Sequence, residues 1–295
     1  MSAARAAFRY LSCLRPLEIV ALQGSPILGF VLAIHQPTIQ SAGQLVLLVA
    51  ANVFLVAHIF LTNDWADLKR DLADPNTVKR VFTARGVSRN EIAGLMIVLL
   101  GLSLLLFSQL GKIPLYLALA IAALSALYSL PQINLKGRPL LSSVAHLIGG
   151  ALHFLLGYSV GSKIDGRAIA IASFFALTFA AGHLTQELRD YQGDALSEIR
   201  TNAVIFGQRR TFMASLVLFT LAHAVLCYLA LRGVVPRPLA ALSVLYPLHL
   251  RWSLNTLADG LNYESICRLQ ARYRTIYGII GVVMVVVMWS ARPAA

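Results

Sequence analysis

The stretch that decides the fold is Leu61–Asp71, LTNDWADLKRD, which directly follows a long apolar run. Its amide and three carboxylates are spaced as N-D-x-x-D-x-x-x-D, at Asn63, Asp64, Asp67 and Asp71. Side chains three and four residues apart share one face of a helix, so Asn63, Asp67 and Asp71 are expected to project together. Carboxylates at this spacing repel one another unless a cation lies between them. The pattern therefore predicts a helix end that binds a cation.

A second stretch with the same pattern lies at Leu184–Asp194, LTQELRDYQGD. Aligned without gaps, its Asp190 and Asp194 coincide with the last two aspartates of the first stretch, and Glu187 replaces Asp64. We expect Glu187, Asp190 and Asp194 to share a helix face as well. Eight of the 13 acidic residues fall in these two windows or within four residues after them, where Asp74 and Glu198 lie. Mg²⁺ prefers oxygen ligands and leaves positions for water and phosphate, so the two windows predict a cradle for Mg²⁺ and a diphosphate.

Composition indicates an integral membrane protein. The 295 residues are 58% hydrophobic and 13% charged, whereas soluble chains carry about 25% charged residues. The net charge of +12 would suit nucleic acid, but the basic residues concentrate in alternate loops, which is a signal of membrane topology. We therefore predict a lipid bilayer as the partner and no nucleic acid. The three cysteines are far apart, so neither a disulfide framework nor a zinc site is indicated.

The apolar runs predict an all-α integral membrane protein of nine transmembrane helices in one domain, residues 1–295. The spans lie near 17–34, 42–62, 90–108, 114–130, 142–160, 167–186, 211–231, 237–252 and 273–290.

The basic residues also predict the orientation. With the N-terminus in the cytoplasm, most of the 25 lysines and arginines face that side. Both acidic stretches then lie at cytoplasmic helix ends and point the same way across the membrane. Many secondary transporters instead bind cations near the midplane between inverted repeats. A divalent cation transporter stays open as the non-enzymatic alternative.

Basic and polar residues follow each acidic stretch. Lys79 and Arg80 come after the first, Arg200 comes after the second, and a loop between them carries Tyr128 and Lys136. Cations beside a metal–carboxylate cluster suit a phosphorylated ligand, because they neutralise the charge that grows as phosphate leaves. The alternative is that these residues only anchor cytoplasmic loops.

The candidate cavity groups inside predicted spans are the histidines His58, His146, His153 and His183. Polar residues at membrane depth usually face the protein interior and are functional candidates. The alternative for each is a packed histidine with one hydrogen bond between helices. Gly149 and Gly150, on the face shared by His146 and His153, are expected to permit close helix packing, and so is Gly157.

These motifs resemble the UbiA superfamily of intramembrane prenyltransferases. Its N-D-x-x-D-x-x-x-D signature is similar to Asn63 through Asp71, and its D-x-x-x-D signature is similar to Asp190 through Asp194. A family element Y-S-x-P-x-x-x-L-K is similar to Tyr128 through Lys136, and Arg200 through Gly207 looks like a further element. Family members often carry N-R-P after the first signature, and Pro75 through Arg80 departs from that order.

The resemblance implies a ring of nine helices around a central cavity, Mg²⁺ as cofactor and an allylic prenyl diphosphate as substrate. The isoprenoid would pass to a small-molecule acceptor, most simply an aromatic one. A terpene cyclase, or transfer to a phospho-sugar or glycerol acceptor, fits the same diphosphate site. The resemblance implies catalytic roles for Asp67, Asp71, Asp190 and Asp194, with Asn63, Asp64 and Glu187 completing the metal ligands. The expected substrate-binding residues are Lys79, Arg80, Tyr128, Lys136, Arg200, His146, His153 and His183.

Overall fold

The computed structural model describes residues 9–34, 36–73, 75 and 77–290. Residues 1–8, which bear on the predicted position of the N-terminus, lie outside these ranges, as does the side chain of Arg80. The described chain is helical and contains no strand. The α-helices are α1 Pro16–Ala21, α2 Gly24–Ala33, α3 Ile39–Ala73, α4 Arg89–Leu110, α5 Lys112–Ser129, α6 Leu141–Gly161, α7 Gly166–Arg189, α8 Tyr191–Leu196, α9 Asn202–Phe206, α10 Gln208–Leu231, α11 Tyr246–Ala258 and α12 Tyr263–Ser290. Short 3₁₀ helices lie at Val78–Arg80, Phe82–Arg85, Leu135–Gly137 and Arg237–Leu245.

The predicted membrane architecture is confirmed. Over the described ranges, eight segments are long and apolar enough to cross a bilayer, with α1 and α2 together forming the first. The remaining predicted span, near 237–252, is the 3₁₀ helix Arg237–Leu245 followed by the short helix α11. Proline explains the difference, because Pro238 and Pro247 lack the backbone N–H that a continuous α-helix needs.

Helix α3 carries the first acidic stretch out of the membrane. Its 35 residues correspond to a length of about 50 Å, whereas the hydrocarbon core of a bilayer is about 30 Å thick. The last turns of α3 therefore extend beyond the lipid core. Asn63, Asp67 and Asp71 lie on these turns of one unbroken helix, as their spacing predicts.

Helix α2 packs directly against α6 through glycines. A Cβ atom built on Gly157 would lie 1.8 Å from the carbonyl oxygen of Pro26, and one on Gly29 would lie 2.2 Å from that of Phe154. Gly150 similarly allows α6 to approach Phe175 and Phe179 of α7. The expectation that glycines of this helix serve close packing is confirmed for Gly150 and Gly157, as is common between membrane helices.

Successive helices pack side by side and the arrangement closes on itself. Helix α3 packs on α4, α5 on α6, α6 on α7, and α7 on α10, while α12 contacts both α7 and α2. Large apolar side chains such as Val46, Ile97, Leu105 and Val282 point outward and are exposed. In a bilayer these side chains face lipid, which leaves the polar residues of α3, α6 and α7 for the interior.

Candidate active site

The two acidic stretches meet around one guanidinium. Arg70, near the end of α3, donates through Nε and Nη2 to Asp71 Oδ1, at 2.9 and 2.7 Å. Its Nη2 also lies 3.0 Å from Asp67 Oδ2, and its Nη1 donates to Asp194 Oδ1 of α8 at 3.2 Å. The carboxylates are buried, with Asp194 only 1% exposed. Carboxylates from distant parts of the chain therefore border one buried position.

Lys136 joins the same cluster from the loop between α5 and α6. Its Nζ donates to Asp67 Oδ2 at 2.6 Å, and the whole side chain is buried. The loop is shaped by Asn134, whose φ of 47° is left-handed and whose side chain accepts from the backbone N–H of Gly137. The predicted association of Lys136 with the acidic stretches is thus present in the structure.

The other acidic residues of the two stretches are also paired. Asp64 accepts a hydrogen bond from Arg15, the residue before α1. Asp190 accepts two from Arg189, at 2.8 and 3.1 Å. Asn63 differs, because its Oδ1 atom is buried and has no hydrogen-bond partner among the described residues. Asp64 and Asp190 thus each lie beside an arginine, whereas the amide oxygen of Asn63 has no donor among the described residues.

The second stretch does not form one helix face, and that expectation is wrong. Helix α7 ends at Arg189, Asp190 caps the break with ψ near 5°, and α8 begins at Tyr191. Asp190 and Gly193 are weak helix formers, which favours a break at this point. Glu187, Asp190 and Asp194 consequently turn to three different sets of partners.

Glu187 is enclosed by hydrogen-bond donors. Its Oε1 accepts from Ser142 Oγ at 3.1 Å and from Asn202 Nδ2 at 2.9 Å, and its Oε2 accepts from the N–H of Ala203 at 3.2 Å. His183 Nε2 lies 3.0 Å from Oε1, without the alignment of a hydrogen bond. The carboxylate therefore ties α7 to the starts of α6 and α9.

Three of the predicted substrate-binding residues form one group of rings. The imidazoles of His146 and His183 stack in parallel with centroids 3.6 Å apart, and Tyr128 packs edge-on against His146 at 4.8 Å. His153 lies farther along α6 beside Phe179, with its Nε2 buried and unpaired within the described chain. His58 instead forms a hydrogen bond with the carbonyl oxygen of Met96 on α4. This contact matches the alternative of a packed histidine with one hydrogen bond between helices.

The remaining predicted cations lie outside this cluster. Lys79 and Arg200 are exposed, and neither forms an ion pair with a described residue. Arg80 lies in the 3₁₀ helix that follows α3, and its side chain is outside the described residues. Their predicted contact with a diphosphate remains a prediction.

Electrostatics differ between the two aspartates that lie outside the membrane-spanning helices. Burial raises the pKa of Asp194 to about 6, although Lys136 and Arg70 act in the opposite direction. The pKa of Asp190, by contrast, lies below its ordinary value. Burial acts to raise this pKa, but the charge and hydrogen bonds of Arg189 outweigh the effect of burial. Burial thus disfavours the ionised form of Asp194, and an additional cation would stabilise that form.

The donor set fits Mg²⁺. In the described ranges, no three His, Cys, Asp or Glu side chains converge closely enough to enclose an ion. Mg²⁺ does not require such a cage, since one or two carboxylates combined with water and phosphate oxygens satisfy it. Asp67, Asp71 and Asp194 supply buried carboxylates, and the unpaired Oδ1 of Asn63 is a further oxygen.

The residues of this site that sequence reasoning missed include Arg70, Arg15 and Asn202. Arg70 lies inside the first acidic stretch, between two of its aspartates, and that position was the available signal. Arg15 and Asn202 are distant in sequence from their partners Asp64 and Glu187. The spacing of residues along one helix cannot reveal pairs between different segments of the chain.

A model of the UbiA prenyltransferase family matches residues 24–262. Among relatives, the lycopene elongase/hydratase of Haloferax volcanii is 28% identical over 236 residues, which cover 79% of this chain and 72% of that protein. A solved UbiA homologue from Archaeoglobus fulgidus, bound to DMAPP and Mg²⁺, has a TM-score of 0.76 at 22% identity, with 96% of this chain and 98% of that chain covered. A UbiA homologue from Aeropyrum pernix K1 has a TM-score of 0.70 at 20% identity, with 92% and 98% covered.

The structural neighbours extend the agreement in fold over nearly the whole chain. The family match decides against the cation transporter that the sequence motifs left open. Because that match spans most of the chain, the protein belongs to the UbiA prenyltransferase family and is an integral membrane prenyltransferase.

Proposed function

We propose that the protein is a Mg²⁺-dependent enzyme that ionises an allylic prenyl diphosphate and transfers the isoprenoid to an aromatic acceptor. The reaction takes place at the cytoplasmic ends of α3 and α7. The observation that carries the proposal is the meeting of Asp67, Asp71 and Asp194 around the Arg70 guanidinium. It supports a single site built from both acidic stretches.

Diphosphate handling follows from the charges at this position. Asp67, Asp71 and Asp194 would hold Mg²⁺ with help from Asn63. When bound, Mg²⁺ stabilises the negative charge of the departing diphosphate. Lys136 would contribute a buried cation from the α5–α6 loop, where a charge in a water-poor site acts more strongly than in bulk water.

The acceptor would be held deeper in the bundle. Tyr128, His146 and His183 form a wall of ring faces and edges, and His183 lies beside Glu187 of the second acidic stretch. Such a wall suits a flat acceptor and an electron-poor allylic carbon, because ring faces attract positive charge. His183 is buried and the other two rings are half-buried, which limits the access of bulk water that would otherwise quench the allylic cation.

A polyene acceptor is the second candidate. The 28% identity to the lycopene elongase/hydratase favours it. The electron-rich double bonds of a polyene would react with the same allylic electrophile, so the diphosphate site can serve either acceptor. Terpene cyclisation and transfer to a phospho-sugar or glycerol acceptor remain alternatives that the assay must include.

The test uses purified protein in lipid nanodiscs with Mg²⁺ and prenyl diphosphates of several chain lengths. Each diphosphate is combined with an aromatic acid, a polyene, a glycerol phosphate or no acceptor. Pyrophosphate release and lipid products are measured, the latter by mass spectrometry. We expect release that depends on Mg²⁺ and a product joined to the aromatic acid. A product only with the polyene would select the second candidate, and no release under any condition would refute the proposal.

Substitution of the acidic residues tests the site itself. Asp67→Ala, Asp190→Ala and Asp194→Ala should each lower pyrophosphate release by at least about a hundredfold, the scale of a lost charge-stabilising group. The matched control is Asp259→Ala, since the Asp259 carboxylate is half exposed and pairs with Arg268 at the surface, away from the site. Wild-type turnover in the three site variants would show that these residues hold neither metal nor substrate.

A further inference from the structure

Arg70 occupies the position that a metal ion is proposed to take. Its three guanidinium nitrogens reach Asp67, Asp71 and Asp194, and its side chain is 11% exposed. No neighbouring cation of α3 does the same. Lys69 precedes it directly, yet it is exposed and forms no ion pair with a described residue.

The contacts of Arg70 satisfy a need that exists without metal. Three buried carboxylates close together repel one another, and burial makes that repulsion stronger than in water. A planar guanidinium can bond to several carboxylates at once, which a single ammonium group does with less geometric fit. Arg70 therefore links α3 to α8 electrostatically as long as no other cation is present.

A divalent ion and this guanidinium cannot both occupy the centre of the cluster. Like charges at contact distance in a buried site repel strongly, and both would use the same carboxylate oxygens. A metal ion must therefore displace the Arg70 head group from at least part of its contacts. Arg70 would reduce the apparent metal affinity by the free energy of those contacts.

We propose that Arg70 is an internal counter-cation, which holds the two acidic stretches together when divalent metal is absent and leaves their carboxylates when metal binds. This inference rests on the proposed metal-dependent function. It assigns Arg70 a role different from that of Lys136, which reaches only Asp67 in the cluster.

The test measures metal binding directly, without prenyl diphosphate. Wild type, Arg70→Gln and Lys69→Gln are reconstituted in nanodiscs and titrated with Mn²⁺, and free Mn²⁺ is followed by electron paramagnetic resonance. Both variants remove one positive charge from adjacent positions of α3. We expect Arg70→Gln to bind Mn²⁺ about tenfold more tightly than wild type. Lys69→Gln should stay within about twofold, because an exposed charge is screened.

Thermal unfolding of the same samples supplies the second readout. Without metal, Arg70→Gln should unfold at a lower temperature than Lys69→Gln, since its carboxylates have lost their shared partner. Saturating Mn²⁺ should raise the midpoint of Arg70→Gln more than that of wild type. This recovery also shows that the variant is folded. Arg70→Lys, which keeps the charge but not the fork of donors, should give intermediate results.

The outcomes separate the two proposals. If wild type turns over prenyl diphosphate but Arg70→Gln binds Mn²⁺ no more tightly than Lys69→Gln, the inference is wrong and the proposed function stands. Weaker binding by Arg70→Gln would likewise overturn it, since Arg70 would then assist metal binding. If none of the proteins binds Mn²⁺ and wild type lacks turnover, both proposals fail.

Discussion

The side chain of Asn202 forms hydrogen bonds to residues on both sides of the site. Its Nδ2 donates to Glu187 and to Ser142, while its Oδ1 accepts from the backbone N–H of Leu140 at 2.8 Å. Leu140 has a φ of 66°, a conformation that is costly for a branched side chain. The amide thus holds the strained end of the loop that carries Lys136. The sequence predicts Glu187 to be a metal ligand. In the structure its carboxylate instead accepts hydrogen bonds from Asn202, Ser142 and the backbone of Ala203.

Replacement of Asn202 tests that connection. Asn202→Ala should lower the free energy of unfolding by about 1–3 kcal/mol, because it leaves buried partners unsatisfied. It should also raise the Michaelis constant for the prenyl diphosphate more than it lowers kcat, since Lys136 loses its fixed position. Thermal unfolding and steady-state kinetics measure the two effects.

Asn255→Ala is the control for this substitution, since Asn255 is exposed on α11. Equal stability and kinetics for the Asn202 and Asn255 variants would mean that the network has no part in positioning the loop.

At the scale of helices, the site depends on how closely α2 and α6 approach. Gly29 and Gly157 let the two backbones come into contact, and the beginning of α6 holds Ser142 and His146 of the site. Helix α3 contributes its unbroken length, which carries the first acidic stretch beyond the lipid core. Helix α7 contributes its end at Arg189, which turns Asp194 toward Arg70.

A methyl group at the α2–α6 contact should separate these helices. Gly157→Ala should cost roughly 1–3 kcal/mol of stability, the usual scale of overpacking, because its Cβ would lie 1.8 Å from a backbone oxygen that cannot rotate away. The thermal unfolding midpoint in detergent measures this. Gly101→Ala on α4 is the matched control, because no atom apart from its chain neighbours and its own helix backbone lies within 4 Å of its Cβ position. That variant should be neutral or slightly stabilised by helix propensity. A midpoint for Gly157→Ala equal to that of Gly101→Ala would contradict the close contact.

On the scale of the whole molecule, the closed arrangement of helices separates a lipid face from a polar interior. The distribution of basic residues predicts which end of this arrangement faces the cytoplasm. Lys163, between α6 and α7, and Arg209, at the start of α10, are both exposed. The 24-residue helix α7 separates their loops, so the two positions belong to opposite membrane faces.

Cysteine labelling tests this orientation. In a background where the three native cysteines are serine, Lys163→Cys should react with an impermeant maleimide only from outside intact cells. Arg209→Cys should react only in inverted vesicles. Detergent-solubilised protein, in which both positions should react, is the control. The reverse pattern, or labelling of both variants from one face, would show that the predicted orientation is wrong.

The sequence by itself determined the helical membrane fold, the two acidic stretches and the family resemblance. These features depend on local periodicity and on runs of apolar residues, which a chain displays without folding. Only the tertiary structure decided which cation meets which carboxylate. Arg70 with Asp194 and Lys136 with Asp67 are pairs formed across distant segments, and packing chooses them. The break at Asp190 could not be predicted from the three- and four-residue spacing of the acidic residues, because that argument assumes a continuous helix.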